Sequence, residues 1–349
     1  MKHISLLLAI PALLTVASCN GRGNQQESET AAAEEAGRVV VGYVTSWSDK
    51  MPDPLLVTHL NYAFGHVSES FDSMRIDNPE RLQRIVALKE QNPELKVMVS
   101  VGGWGSGRFS EMAASESNRR SFATHCREAV EKYGLDGIDI DWEYPTCDWA
   151  GISASPDDTR NFTLLMRDLR ETLGAERLLS MATIAQAQFI DFRDVEPYVD
   201  FVNVMSYDMA RAPKHHSPLF ASSNAEFTTS RAVQAHLDAG IPEIKLVMGI
   251  PFYGRGTSEY GNYCDYGSIS VDESKYVECW DEAAQVPYIA DMKGSLVLGY
   301  ENEKSVGIKC DYALEMGLRG VMYWDCAGDD DSFSLGRTVA RRILSRRRR

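Results

Sequence analysis

The chain has 349 residues, 44% hydrophobic and 25% charged, a globular composition that excludes wholesale disorder and collagen-like repeats. Acidic side chains outnumber basic ones by 50 to 36, for a formal charge of −14. That balance argues against a partner held through phosphates, so no nucleic acid is expected.

The chain opens on Lys2 and then an apolar stretch from Ile4 to Val16, broken only by Ser5, Pro11 and Thr15. It is too short to span a bilayer comfortably and has the layout of a secretory signal, residues 1–18. Val16-Ala17-Ser18-Cys19 resembles a bacterial lipobox. The resemblance implies cleavage before Cys19 and a lipid anchor on its sulfur. The expected location is the bacterial cell envelope, at the outer membrane or cell surface rather than the inner membrane. Residues 19–37 are rich in Gly, Gln, Glu, Ser and Ala without apolar periodicity and read as a flexible tether. Residues 38–345 read as one folded domain, and Arg346 to Arg349 as a frayed basic end.

Cys126, Cys147, Cys264, Cys279, Cys310 and Cys326 remain beside Cys19. An exported chain can oxidise them, but sequence does not choose a pairing. Cys264 and Cys279 share one loop-rich segment and are the first pair to test. No CxxC or Cys/His cluster suggests zinc, and no metal or other cofactor is expected. His215-His216 reads as an isolated surface doublet in a loop.

Short apolar runs then alternate with helical stretches. Strands are predicted at Val39–Thr45, His59–Gly65, Lys96–Val101, Gly137–Trp142, Leu178–Ile184, Phe201–Tyr207, Leu246–Phe252 and Gly320–Trp324. Helices are predicted at Pro79–Glu90, Glu116–Tyr133, Asp157–Leu173, Asn224–Ala239 and Glu303–Met316. Near-continuous apolar strands imply burial on both faces, as in a parallel sheet. Repeated β-then-α units over this length fit a (β/α)8 TIM barrel, an α/β fold. The aromatic-rich stretch 256–297 is too long for a plain connection and predicts a small insertion between strands 7 and 8.

The stretch Asp136 to Pro145, DGIDIDWEYP, is the informative one. Strand side chains alternate, so Asp139, Asp141 and Glu143 share one face, while Ile138, Ile140 and Trp142 share the other. In a barrel the carboxylates point inward, toward the C-terminal mouth. Crowded carboxylates cannot all stay ionised, and a raised pKa suits a general acid. Glu143, last on the strand and longest, is the best placed to reach a substrate. A divalent metal is the alternative use of such acids, but flanking Trp142 and Tyr144 suit sugar rings better.

Asp136 to Glu143 matches the DxxDxDxE signature and resembles glycoside hydrolase family 18, in a variant similar to its chitinases. Ser100-Val101-Gly102-Gly103, Met205-Ser206-Tyr207-Asp208, the run Gly249 to Arg255, and Gly320 to Trp324 resemble further motifs of that family, in the expected order. The resemblance implies a hydrolase of β-1,4-linked N-acetylglucosamine chains, chitin or chitooligosaccharides. It implies retention of configuration, with the substrate's own 2-acetamido group as nucleophile. Glu143 would protonate the glycosidic oxygen, Asp141 would orient the acetamide, Asp139 would tune Asp141, and Tyr207 would donate to the acetamide oxygen. Trp324 would floor the sugar pocket, and Tyr43, Phe64, Trp104, Met205, Asp208, Tyr253 and Arg255 would wall it. Trp47, Trp149 and Trp280 could line outer subsites. Asp136, Ser100, Gly102 and Gly103 would be structural. A monomer is expected. The alternatives are an endo-β-N-acetylglucosaminidase acting on N-glycan cores and a non-hydrolytic surface glycan-binding protein.

Overall fold

Val39–Thr45 (β1) is buried along its whole length, the mark of a strand covered on both faces. In this computed structural model, which describes residues 37–258 and 260–344, it starts a β/α alternation. It is followed by His59–Val67 (β2), Met74–Ile76 (β3), Pro79–Val86 (α1), Lys96–Gly102 (β4), Phe109–Ala114 (α2), Glu116–Tyr133 (α3) and Gly137–Asp141 (β5). Asp158–Leu173 (α4), Leu178–Ile184 (β6), Phe192–Val195 (α5), Phe201–Met205 (β7), Thr229–Ala239 (α6) and Leu246–Pro251 (β8) come next. The chain then makes Tyr253–Gly256 (β9), Cys264–Asp265 (β10), Tyr276–Asp281 (β11), Val286–Asp291 (β12) and Leu296–Gly299 (β13). It ends with Glu303–Glu315 (α7), Gly320–Trp324 (β14) and Ser334–Ile343 (α8).

Strands β1, β2, β4, β5, β6, β7, β8 and β14 pair in parallel in that order, and β14 returns to β1. The result is a closed eight-stranded parallel barrel surrounded by helices, the expected (β/α)8 architecture. The signal segment, Cys19, nearly all of the tether and the terminal arginines lie outside the described residues.

Local chemistry sets the helix bounds. Ser115 caps α3 by accepting from Asn118 N, and Gly134, at φ 67°, ends it. Thr228 caps α6 through Arg231 N, so that helix starts five residues later than its apolar pattern suggested. Asn302 and Ser305 form a reciprocal capping box on α7. Val39, Val41, Met98, Phe201, Val247 and Met322 fill the barrel interior.

The insertion is an antiparallel five-stranded sheet in the order β10-β9-β13-β12-β11. It runs from Tyr253 to Gly299, wider than the expected 256–297, because β9 and β13 pair at its base. Ile289, Leu298 and Tyr300 form its small core. The order sets Cys264 on β10 and Cys279 on β11 at opposite edges, four spacings of about 4.8 Å apart, too far to bond. All six described cysteines are free.

Candidate active site

The acid-bearing strand ends at Asp141, one residue earlier than expected. Asp139 and Asp141 therefore point inward from β5, while Glu143 is carried by the loop beyond it. Asp158 secures that loop: one carboxylate oxygen accepts from Ser155 N at 2.7 Å and Thr146 N at 3.3 Å, the other from Ser110 Oγ at 2.8 Å. Trp142 packs the opposite way, stacked on Phe109 at 5.2 Å.

Asp139 is fully buried and accepts four hydrogen bonds. Tyr43 Oη and Ser100 Oγ reach Oδ2 at 2.8 and 2.7 Å, and Ser180 Oγ and Asn203 Nδ2 reach Oδ1 at 2.6 and 3.2 Å. Burial pushes its carboxyl up, and these donors oppose the shift. Asp141, one layer higher, is pushed well above the ordinary aspartate range by burial, then by Glu143 and Asp139. Its buried Oδ1 has no hydrogen-bond partner in the protein. Burial also lifts Glu143, to about 7, with the Asp208 charge adding to the rise and the Tyr144 hydroxyl opposing it. Burial, then the charges of Asp141 and Glu143, keep Tyr207 protonated, so its hydroxyl is a donor.

Asp141, Glu143 and Tyr207 line a cleft of about 660 Å³ at the C-terminal mouth of the barrel, with Phe64, Trp104, Met205, Asp208, Tyr253, Arg255 and Trp324 among its other walls. Trp324 lies at its base, stacked on Phe64 at 5.6 Å and 20°. Tyr43, expected as pocket wall, is beneath it instead: its hydroxyl is spent on Asp139. Trp47 and Trp149 line the cleft and are largely exposed, whereas Trp280 sits in the insertion under Lys304. Arg255 forks onto Asp208 and, outweighing the cost of burial, holds its carboxyl well below the usual range.

The motif residues outside the cleft hold it together. Asp136 accepts from Val97 N at 2.7 Å and pairs with Lys89 and Lys96 at the strand entry. A Cβ on Gly102 would sit 1.9 Å from Asp141 O, and one on Gly103 would meet the Phe64 ring at 2.5 Å. Ser100 does more than shape the turn, since it donates to Asp139.

Sequence reasoning missed several contributors. Ser180 pairs in register with Asp139 on β6, and Asn203 reaches Asp139 from an inward position of β7; strand alternation could have found both. Gln186, Arg211 and Tyr263 line the cleft from loops and carried no such signal. His215 and His216, expected at the surface, are 2% and 1% exposed. The insertion covers them: His215 packs edge-on against Tyr288 of β12 at 5.5 Å. Among the described residues, no group of three or more His, Cys, Asp or Glu is arranged to hold a metal ion.

The family model for Glycosyl hydrolases family 18 matches residues 39–329. The chain belongs to this family. It is 29% identical over 393 residues to Chitinase A1 of Niallia circulans, covering 83% of this chain and 56% of that protein. The chain thus spans a little over half the length of that relative. Chitotriosidase-1 of Mus musculus is 29% identical over 83% of this chain and 73% of its own length. Among solved structures, a family 18 N-acetylglucosaminidase from Paenibacillus barengoltzii superposes with a TM-score of 0.78 at 33% identity, covering 88% of this chain and 100% of that one. The Ostrinia furnacalis Group IV chitinase in complex with allosamidin gives 0.80 at 30% identity, covering 89% and 99%.

Proposed function

We propose that the protein is a chitinase-type hydrolase that cuts β-1,4-linked N-acetylglucosamine chains with retention of configuration. One observation carries this reading: Glu143, the carboxyl that titrates near 7, opens into the same cleft as Asp141, Tyr207 and the Trp324 base. A protonated acid, a second carboxyl beside the developing positive charge, a neutral donor and an aromatic face are the parts that sugar transfer needs. The names of the relatives support the same substrate class.

In this reaction Glu143 gives its proton to the glycosidic oxygen as the bond to the anomeric carbon breaks. The carbonyl oxygen of the substrate's 2-acetamido group attacks that carbon, forming a cyclic oxazolinium-like intermediate. Asp141 accepts from the acetamide N–H and stabilises the positive charge. Tyr207 donates to the acetamide oxygen. Glu143, now a carboxylate, takes a proton from a water that opens the ring from the face the leaving group vacated.

The test is a product profile of chitohexaose beside a high-mannose glycoprotein. Cleavage of chitohexaose supports the proposal. Cleavage of the glycoprotein alone indicates an N-glycan enzyme, and binding without cleavage a lectin.

We also place the enzyme at the cell envelope, held by a lipid on Cys19 and acting as a monomer. The lipobox-like run and the tether support the anchor. Palmitate labelling lost in Cys19→Ala is expected; equal labelling contradicts the anchor.

A further inference from the structure

After β7 the chain presents Tyr207 and Asp208 to the cleft and then folds back beneath them. The returning stretch His215-His216-Ser217 is buried and grips the residues above it. Ser217 Oγ donates to Ser206 O at 2.8 Å, and Met209 N donates to His216 O at 3.0 Å. His216 Nδ1 stands 3.5 Å from Asp208 Oδ1, beyond a good hydrogen bond but within ion-pair reach. Its ring also lies 5.3 Å from that of Tyr253 on β9. His215 turns the other way, with Nε2 at 3.1 Å from Asp281 Oδ2 at the end of β11. From α7 the buried Lys309 Nζ donates to Ser217 O at 2.6 Å, to Ser217 Oγ at 2.8 Å and to Glu301.

Asp208 has a φ of 56°, a left-handed conformation that is uncommon outside glycine, though aspartate takes it more readily than most residues. Arg255 supplies one restraint, through a forked ion pair. The His216 imidazole and the Tyr253 hydroxyl also face that carboxylate.

We propose that His216 is a positioning residue of this hydrolase: it fixes the Asp208 carboxylate, and so the field felt at Glu143, while His215 ties that support to the insertion sheet. The proposal rests on Glu143 being the acid. The charged and titratable groups around the doublet are Asp208, Arg255 and Tyr253 beside His216, and Asp281 and Lys309 toward His215. The Asp208 charge pushes Glu143 upward. A carboxylate that relaxes into the space left by a deleted imidazole recedes, and Glu143 then ionises at lower pH.

The experiment titrates the Glu143 carboxyl by carbon-13 NMR in the full chain and measures kcat and KM on chitohexaose across pH. His216→Ala is expected to bring the Glu143 midpoint below its value of about 7, with the alkaline limb of kcat following. We expect kcat to fall about tenfold and KM to change less than about twofold. His216→Asn, whose amide nitrogen sits where Nδ1 does and can donate to Asp208, is expected to keep most of both. In an Asp208→Asn background, His216→Ala should move the midpoint no further. An unchanged midpoint in His216→Ala, or a further shift in that background, overturns the proposal. If His216→Ala does not fold, His216→Leu, which has no donor for Asp208, takes its place with the same expected fall. The NMR midpoint needs no turnover. A chain that leaves chitohexaose intact therefore contradicts the proposed function, while the midpoint still decides the role of His216.

Discussion

The hydroxyl of Tyr144 donates a 2.8 Å hydrogen bond to Oε2 of Glu143, its neighbour in sequence. A donor aimed at a carboxylate favours the ionised form. Here it works against burial, which dominates and leaves the group titrating at about 7. Catalysis by a general acid needs the proton, so the rate should fall as pH rises through that value. Tyr144→Phe removes the donor, and the alkaline limb of the kcat profile should move to higher pH. A limb that stays put or moves down contradicts the assignment of this bond.

The same shift has a consequence for stability. Glu143 rises from 4.5 to about 7 on folding. The folded protein therefore keeps a proton that the unfolded chain releases within this window. The associated stability is fully present below 4.5 and is lost as pH rises through about 7. Asp141 is displaced in the same direction. Glu143→Gln escapes this loss, so it should be more stable than the wild type at about pH 8, by roughly 3 kcal/mol. The advantage should vanish at about pH 4. Urea denaturation of both proteins at the two pH values checks the sign.

Asp139 serves four donors on four strands: Tyr43, Ser100, Ser180 and Asn203. Asp139→Ala removes the acceptor that all four share in the barrel interior. A loss of about 3 kcal/mol or more in unfolding free energy is expected. Asp139→Asn should lose less, because its amide oxygen still accepts. Equal stability of Asp139→Ala and the wild type is the contrary result.

Much of this site was legible in the sequence because strand alternation is strict. Asp139, Asp141 and the opposed Trp142 fall on the faces that period two assigns them. The eight barrel strands were visible because each is apolar enough to be covered on both sides. Several features were not. Phe109–Ala114 is too short to show helical periodicity, and it forms where Phe109 can stack on Trp142. Tyr43 looked like pocket wall because nothing local shows that its hydroxyl is spent on an aspartate 96 positions away. His215 and His216 looked exposed because their cover comes from strands that begin 37 or more residues later.

Gly102 has φ 131°, and a Cβ there would collide with Asp141 O at 1.9 Å. The partner is backbone of the strand that carries the acids, so it cannot step aside cheaply. Gly102→Ala should cost about 3 kcal/mol or more. Gly134, at φ 67° with nothing within 4 Å of its missing Cβ, is the control. Gly134→Ala should cost only about 1 kcal/mol. Thermal unfolding of the two variants side by side tests the contrast.

The central claim is that Glu143 acts as acid while the substrate's acetamido group acts as nucleophile. Proton NMR of chitohexaose hydrolysis, recorded before the sugar mutarotates, tests this most directly. The β-anomer at the newly formed reducing end is the predicted first product. The α-anomer appearing first would mean direct attack by water on the opposite face, and would contradict the account.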